Sequence, residues 1–317
     1  MNITSLIYGN LKDIIVDDKK NILYLLYYST VEAILLMVSP LTSAFIINSV
    51  LAHATISITV LSIIVIVVFL MIAVLQVIKV YIVEKFEQKI FIKNAIKTSK
   101  LALDVHSEKE NKYINKYMNY FFDVISIQKL FPILLITGSG LVIKVIVSLV
   151  LLLIFDINFF ILGLVFIFCF SVIVIYLGRS GPKFAIERSN AKHETIFFIQ
   201  NILLHKRSKD ETLQELDLLL IDFLAARNNM FRVIVKQLSI SFFIEGLILA
   251  SFFILGGYLV FKGMIPIGEF VAIEIIIISV VYALRDFMKQ IDYIYDMIEG
   301  FYKVDKLSKT LESKEYE

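Results

Sequence analysis

GGYLVFKGMIPIGEFVA, Gly256 to Ala272, interrupts a long apolar run with one Lys, one Pro, four Gly and one Glu, after which the apolar residues resume. The stretch reads either as a soluble turn between two core elements or as a short exit into water between two membrane spans. Composition decides between them. Hydrophobic residues make up 58% of the 317, charged residues 19%, and the mean hydropathy is +0.82. A soluble chain is usually near half apolar and a quarter charged. Runs such as Ile56 to Ile78 and Phe131 to Phe155 are long enough to cross ~30 Å of hydrocarbon as helix. An all-α integral membrane protein is expected.

Six apolar segments follow, at about 22–50, 57–80, 131–155, 157–178, 239–261 and 267–286. The first contains Pro40, which a spanning helix tolerates where neighbours satisfy the freed backbone groups. Ahead of it, Ile3, Leu6, Ile7, Leu11, Ile14 and Ile15 recur at helical spacing beside Asp13, Asp17, Asp18, Lys19 and Lys20. Residues 1–20 are therefore expected to lie as an amphipathic helix in the membrane interface, not to serve as a cleavable signal.

The connections are very unequal. LAHATIS, DIN and KGMIP join spans 1–2, 3–4 and 5–6, whereas spans 2–3 and 4–5 are joined by charged segments at about 80–130 and 179–238. Of 31 Lys and Arg, 29 fall before residue 21, from Lys79 to Lys129, from Arg179 to Lys236, or from Arg285 onward; only Lys144 and Lys262 lie elsewhere. Basic residues concentrate on the cytoplasmic side, so both termini and both long connections are expected inside the cell membrane. From Lys79 to Lys129 there is no Gly or Pro, and apolar positions such as Phe86, Ile90, Leu213, Leu216 and Leu220 recur at helical intervals. Each long connection is expected to be a helical hairpin reaching into the cytoplasm, and 287–317 a cytoplasmic helix and tail.

With this plan in view, GGYLVFKG followed by IGEFVA resembles the span 5–6 junction of type I ABC exporter transmembrane domains. The interfacial helix, six spans, two long hairpins and helical exit fall in that family's order. The resemblance implies the permease half of an exporter, paired as a homodimer or with a related permease, moving an amphipathic or hydrophobic substrate, such as a peptide, by alternating access. Within the 317 residues there is no G-x-x-x-x-G-K-[ST] phosphate loop; Gly138–Ser139–Gly140 with Lys144 is the nearest imitation and lacks the order. ATP and Mg are then expected on a separate nucleotide-binding ATPase subunit, with no cofactor or catalytic residue in this chain and no nucleic-acid partner. The four His show no close ligand spacing and Cys169 stands alone, so no metal site is expected.

In that family a short cross-helix at each hairpin tip fits a groove on a nucleotide-binding domain. By position the first tip here is Val105, His106, Ser107, Glu108, Lys109 and Glu110. The second is Gln200, Asn201, Leu204, His205, Lys206 and Arg207. The first lacks the family's common Thr-Gly-Asp and the second its Gly-Ile-x-x-[VI]-[KR].

Ionisable residues inside spans are costly and mark candidate functional positions. Glu32, Lys144, Glu245 and Glu274 qualify. Helical rise puts Lys144 ~18 Å above the inner end of span 3 and Glu274 at nearly the same height, so the two are candidates to pair. Three carboxylates against one amine also suggest an acidic pathway for a cationic or amphipathic substrate. The bland alternative is mutual neutralisation. An ion-coupled transporter or channel, or a membrane scaffold docking a soluble partner, stand as competing functions.

Overall fold

The computed structural model describes residues 19–53, 58–104, 134–204 and 208–312. Among them every regular element is helical. The helices are α1 (Lys19–Leu36), α2 (Val38–Leu51), α3 (Ile58–Asp104), α4 (Ser139–Phe155), α5 (Ile157–Gly178), α6 (Gly181–Gln200), α7 (Lys209–Phe261), α8 (Ile267–Lys289) and α9 (Ile291–Glu312). A π-turn, Leu134–Gly138, leads into α4. Six stretches are long and apolar enough to span: α1 with α2, α3, α4, α5 with α6, α7, and α8. The described residues form a helical membrane protein with six spans.

The opening stretch shows why the spans turn where they do. At the end of α7 the Met264 N–H donates to the Leu259 carbonyl and the Gly263 N–H to the Val260 carbonyl, both at 2.9 Å. This is a Schellman closure, and its pivotal residue must take a positive φ; Gly263 has φ +69°. Ile265 buries itself behind the turn, Pro266 precedes the first residue of α8, and the chain re-enters the bundle. Other short links are as economical. Asp156 alone separates α4 from α5, and its carboxylate accepts the Asn158 N–H at 2.8 Å as a helix cap.

The first span is not one helix. It breaks at Met37, so Pro40 falls in the first turn of α2, where its missing N–H leaves no hydrogen bond broken. The expected segment 22–50 thus becomes α1 and α2, and the two halves serve different neighbours: α1 lies on α3 and α4, α2 on α8. The exit after span 6 also differs in detail. Helix α8 runs on to Lys289, and α9 starts only after a break at Gln290.

Helix α8 is the axis of the core. Ala272, Ile273, Ile276, Ile277, Val280, Val281, Leu284 and Met288 are buried at three- and four-residue intervals, against α2, α4 and α7. Helix α3 is the opposite. Val60, Ile63, Ile66, Val67, Phe69 and Leu70 face outward, as a helix solvated by lipid requires, while Ile72, Lys79, Val83 and Phe86 form one buried seam.

Two helices far exceed a bilayer. The 47 residues of α3 and 53 of α7 extend about 70 and 80 Å against ~30 Å of hydrocarbon. Both project on the side that carries Lys19, the start of α4 and α9, here called the basic side. There α6 packs antiparallel on the outer part of α7, which makes a two-helix lever. Its turn is built from a 3-10 segment, Ile202–Leu204, and a capping box: the Glu211 N–H donates to Ser208 Oγ (3.3 Å) and the Ser208 N–H to Glu211 Oε2 (3.2 Å). Of the other expected hairpin, 80–130, the outgoing arm to Asp104 is present as α3; residues 105–130 lie outside the described residues, as do 1–18 of the expected interfacial helix.

Without a hydrophobic drive inside lipid, helices associate by close packing of small residues. Helices α2 and α8 do so at Gly268. A Cβ there would lie 2.5 Å from the Ala44 carbonyl oxygen and 2.4 Å from Asn48 Oδ1. The Asn48 side chain in turn accepts the Gly268 N–H at 2.9 Å, satisfying a helix-start donor that Pro266 cannot. Gly268→Val is expected to cost about 1–3 kcal/mol by overpacking, read as a lowered thermal midpoint of the purified protein in detergent; Gly257→Ala, where a Cβ meets nothing within 4 Å, should leave that midpoint in place.

Candidate functional site

The intramembrane charges are candidates because each must be neutralised or functional. Glu32, buried on α1, is paired. Lys79 of α3 forms an ion pair with its Oε2, and Gln76 Nε2 donates to Oε1 at 3.0 Å. Gln76 and Lys79 stand three apart on α3, so one helix face delivers both donors to one carboxylate. Glu245, buried on α7, is paired as well. Arg285 of α8 approaches its Oε2 with Nε at 2.8 Å and with a second guanidinium nitrogen at 2.7 Å, and Ser241 Oγ lies 3.4 Å from the other oxygen. Both carboxylates therefore hold basic partners that charge counting had assigned to the aqueous ends of the spans. Long Lys and Arg stems let the charged head reach back along the helix.

Lys144 and Glu274 do not meet as height alone suggested. The charges that act on half-buried Lys144 are Glu32 and Asp286, and a buried oxygen of Glu274, Oε1, has no hydrogen-bond partner among the described residues. Helices α4 and α8 do touch. Rise per residue fixes depth, whereas pairing also requires that the two side chains share an azimuth. The four candidates are thus one α1–α3 pair with Lys144 beside it, one α7–α8 pair, and one carboxyl with an open oxygen. Of the three carboxylates, Glu32 and Glu245 hold basic partners and Glu274 keeps an oxygen with none among the described residues.

At the tips, Val105 to Glu110 and His205 to Arg207 lie outside the described residues. Gln200 closes α6, and Asn201 terminates it: its side-chain Nδ2 donates to the Phe197 carbonyl at 2.7 Å. Leu204 ends the 3-10 turn. One residue stands out at this tip. Leu203 is 95% exposed at the end of the lever, with Ile199 also exposed one turn earlier. The run S-K-D-E at 208–211 carried the signal for where the tip ends.

A second polar constellation sits on the basic side between α6, α7 and α9. Arg188 engages Asp292, Asp296 and Glu299, and Lys192 lies 3.5 Å from Glu299. A cavity of about 450 Å³ opens beside it, walled by Phe223, Arg227, Met230, Phe231 and Ile234 of α7. Its residues recur at i, i+4 and i+7, a signal present in the sequence.

No known protein-family model matches this chain, and no curated protein matches it. Among the described residues no group of three or more His, Cys, Asp or Glu is placed to hold a metal ion.

Taking one partner from a buried ion pair leaves an uncompensated charge, which is worse than removing both. Lys79→Met is expected to destabilise by about 3–5 kcal/mol, and Glu32→Gln combined with Lys79→Met to recover most of that loss. Unfolding of the four proteins of this cycle in denaturant checks it.

Proposed function

We propose that this chain is the membrane-spanning permease half of an ABC-type exporter, driven by a separate nucleotide-binding subunit. One observation carries the reading: a single uninterrupted helix, α7, runs from a span into a lever tens of ångströms long, braced by α6. A channel or a passive carrier has no use for such a lever. A motor outside the membrane does, because a push at the tip is transmitted to the core as rigid rotation of helices. The exposed Leu203 at the tip is where an ATPase groove would take hold, beside Gln200, Asn201 and Leu204, with His205, Lys206 and Arg207 next in the sequence. Residues 105–110 would form the companion tip.

On this reading the basic side is cytoplasmic, both termini lie there, and two permease halves enclose the pathway in the cell membrane. ATP and Mg bind the partner, and this chain hydrolyses nothing. The cargo is amphipathic or hydrophobic. Because Glu32 and Glu245 hold basic partners, the pathway selects by apolar packing around Glu274 and Lys144 more than by net acidity.

A second reading, an ion-coupled transporter, draws on Glu274, whose open oxygen is what a coupling ion would need. The two separate cleanly. Purification from native membranes is expected to bring down a Walker-type ATPase, with vesicle transport requiring ATP. Leu203→Asp should weaken binding of that ATPase about tenfold or more, a loss of ~1.4 kcal/mol or greater, without lowering the permease's thermal midpoint. Transport by the chain alone on an ion gradient, abolished by Glu274→Gln, would overturn the exporter reading in favour of the second.

A further inference from the structure

The cavity of about 450 Å³ between α6, α7 and α9 has two unlike walls. Its volume lies within the ~300–1,000 Å³ usual for a small-molecule site. The wall built from α6 and α9 is polar and already neutral. Arg188 engages Asp292, Asp296 and Glu299 there, and Lys192 lies 3.5 Å from Glu299. Buried Lys303, one turn beyond Glu299 on α9 and bonded to Asn190 Oδ1 at 2.7 Å, supplies a third cation for the third carboxylate. Buried His193 of α6 does not line the cavity.

The α7 wall is different. Met230 and Ile234 are buried and make an apolar floor, while Phe223 and Phe231 stand four residues either side of Arg227 on the same helix face. Arg227 is exposed, and neither an ion pair nor a hydrogen bond holds it among the described residues. The helix itself offers no counter-charge: from Phe223 to Ile244, α7 carries Arg227, Arg232 and Lys236 and no carboxylate. Of the charges on the cavity, that of Arg227 is the one left without an opposite number. Beside it Phe231, 59% exposed, leaves an aromatic ring open to water.

We propose that this cavity binds a soluble amphipathic anion, with a carboxylate, phosphate or sulfonate on Arg227 and a flat apolar body against Phe223 and Phe231. A guanidinium presents a planar fork of donors that matches such oxygens and keeps its charge at any working pH. An aromatic body would cover ring surface that water now wets, a gain that a small inorganic ion cannot make. Height decides between a bilayer lipid and a ligand from water. Gln237 Nε2 donates to the Val174 carbonyl at 3.0 Å, which sets Gln237 level with the last turns of α5 at the membrane boundary. Arg227 lies ten residues further out, about 15 Å along the helix, whereas the headgroup layer is only ~5–8 Å deep on each side. The inference rests on the cavity's own residues and holds whether or not an ATPase drives the chain.

Calorimetric titration of the full chain in phosphatidylcholine nanodiscs, with empty nanodiscs as the blank, tests this with naphthoate and its neutral amide as probes. Naphthoate is expected to fill one saturable site, about tenfold or more tighter than the amide. Arg227→Gln should bring naphthoate down to the level of the amide and leave the amide's own affinity in place. Because Arg227 is exposed and unpaired among the described residues, its loss does not threaten the fold. Phe231→Ala should weaken both probes, and Arg232→Gln, on α7 but off the cavity, should change neither. No saturable naphthoate binding up to about 1 mM, equal affinity for acid and amide, or a preference that survives Arg227→Gln overturns the proposal. So does displacement of naphthoate by phosphatidylglycerol added to the nanodiscs, which would make the occupant a bilayer lipid.

Discussion

The fold depends on one constraint: in lipid a backbone N–H or C=O has no water to bond, so each crossing must satisfy its own hydrogen bonds as helix. That constraint explains why the turns on the short-loop side are so compact. Asp156 and Gly263 close or start helices within a residue or two of the apolar segment, leaving almost no unpaired backbone at the boundary. On the basic side the same helices face no such pressure to stop. Once paired internally, α3 and α7 continue into water as they are, and the protein gains arms whose stiffness comes from the same hydrogen-bond ladder that crosses the membrane.

Helical continuity also governs where the charges end up. Because α3 carries its phase out of the span unbroken, Gln76 and Lys79 point at Glu32 while Val83 and Phe86 keep the same seam buried further along. Arg285 does the equivalent for Glu245 between α7 and α8. These pairs tie α1 to α3 and α7 to α8, so the bundle is held by a few directional contacts on top of small-residue packing such as that at Gly268. A lever fixed to α7 is mechanically fixed to α8, the most buried helix of the core.

Much of this was legible in the residues. Six apolar runs, their lopsided connections and the turn around Gly263 declare themselves through length, charge distribution and Gly–Pro punctuation, all of which are one-dimensional signals. The break at Met37 was not, because Pro40 is compatible with a continuous, a kinked or a divided span until its neighbours are known. Pairing was harder still. Lys144 and Glu274 match in estimated height yet form no ion pair among the described residues, whereas Lys79 and Arg285 were assigned to water on position alone although their stems reach inward. Depth adds up along a chain; azimuth depends on how two helices pack. Leu203 continues the helical apolar spacing of Ile196 and Ile199 in the sequence, and only its place beyond the end of α6 exposes it.

Stiffness of α7 is the central claim, and a distance along it is the direct measurement. With Cys169→Ser, spin labels at Leu218→Cys on the outer half and Phe253→Cys within the span, both outward-facing, lie 35 helical residues apart, about 50 Å at the rise of an α-helix. A narrow distribution at that distance in lipid nanodiscs is the expected result. A broad one, or a mean far short of it, would mean that the helix bends or melts at the membrane boundary, and a lever that bends there cannot carry force from its tip to the core.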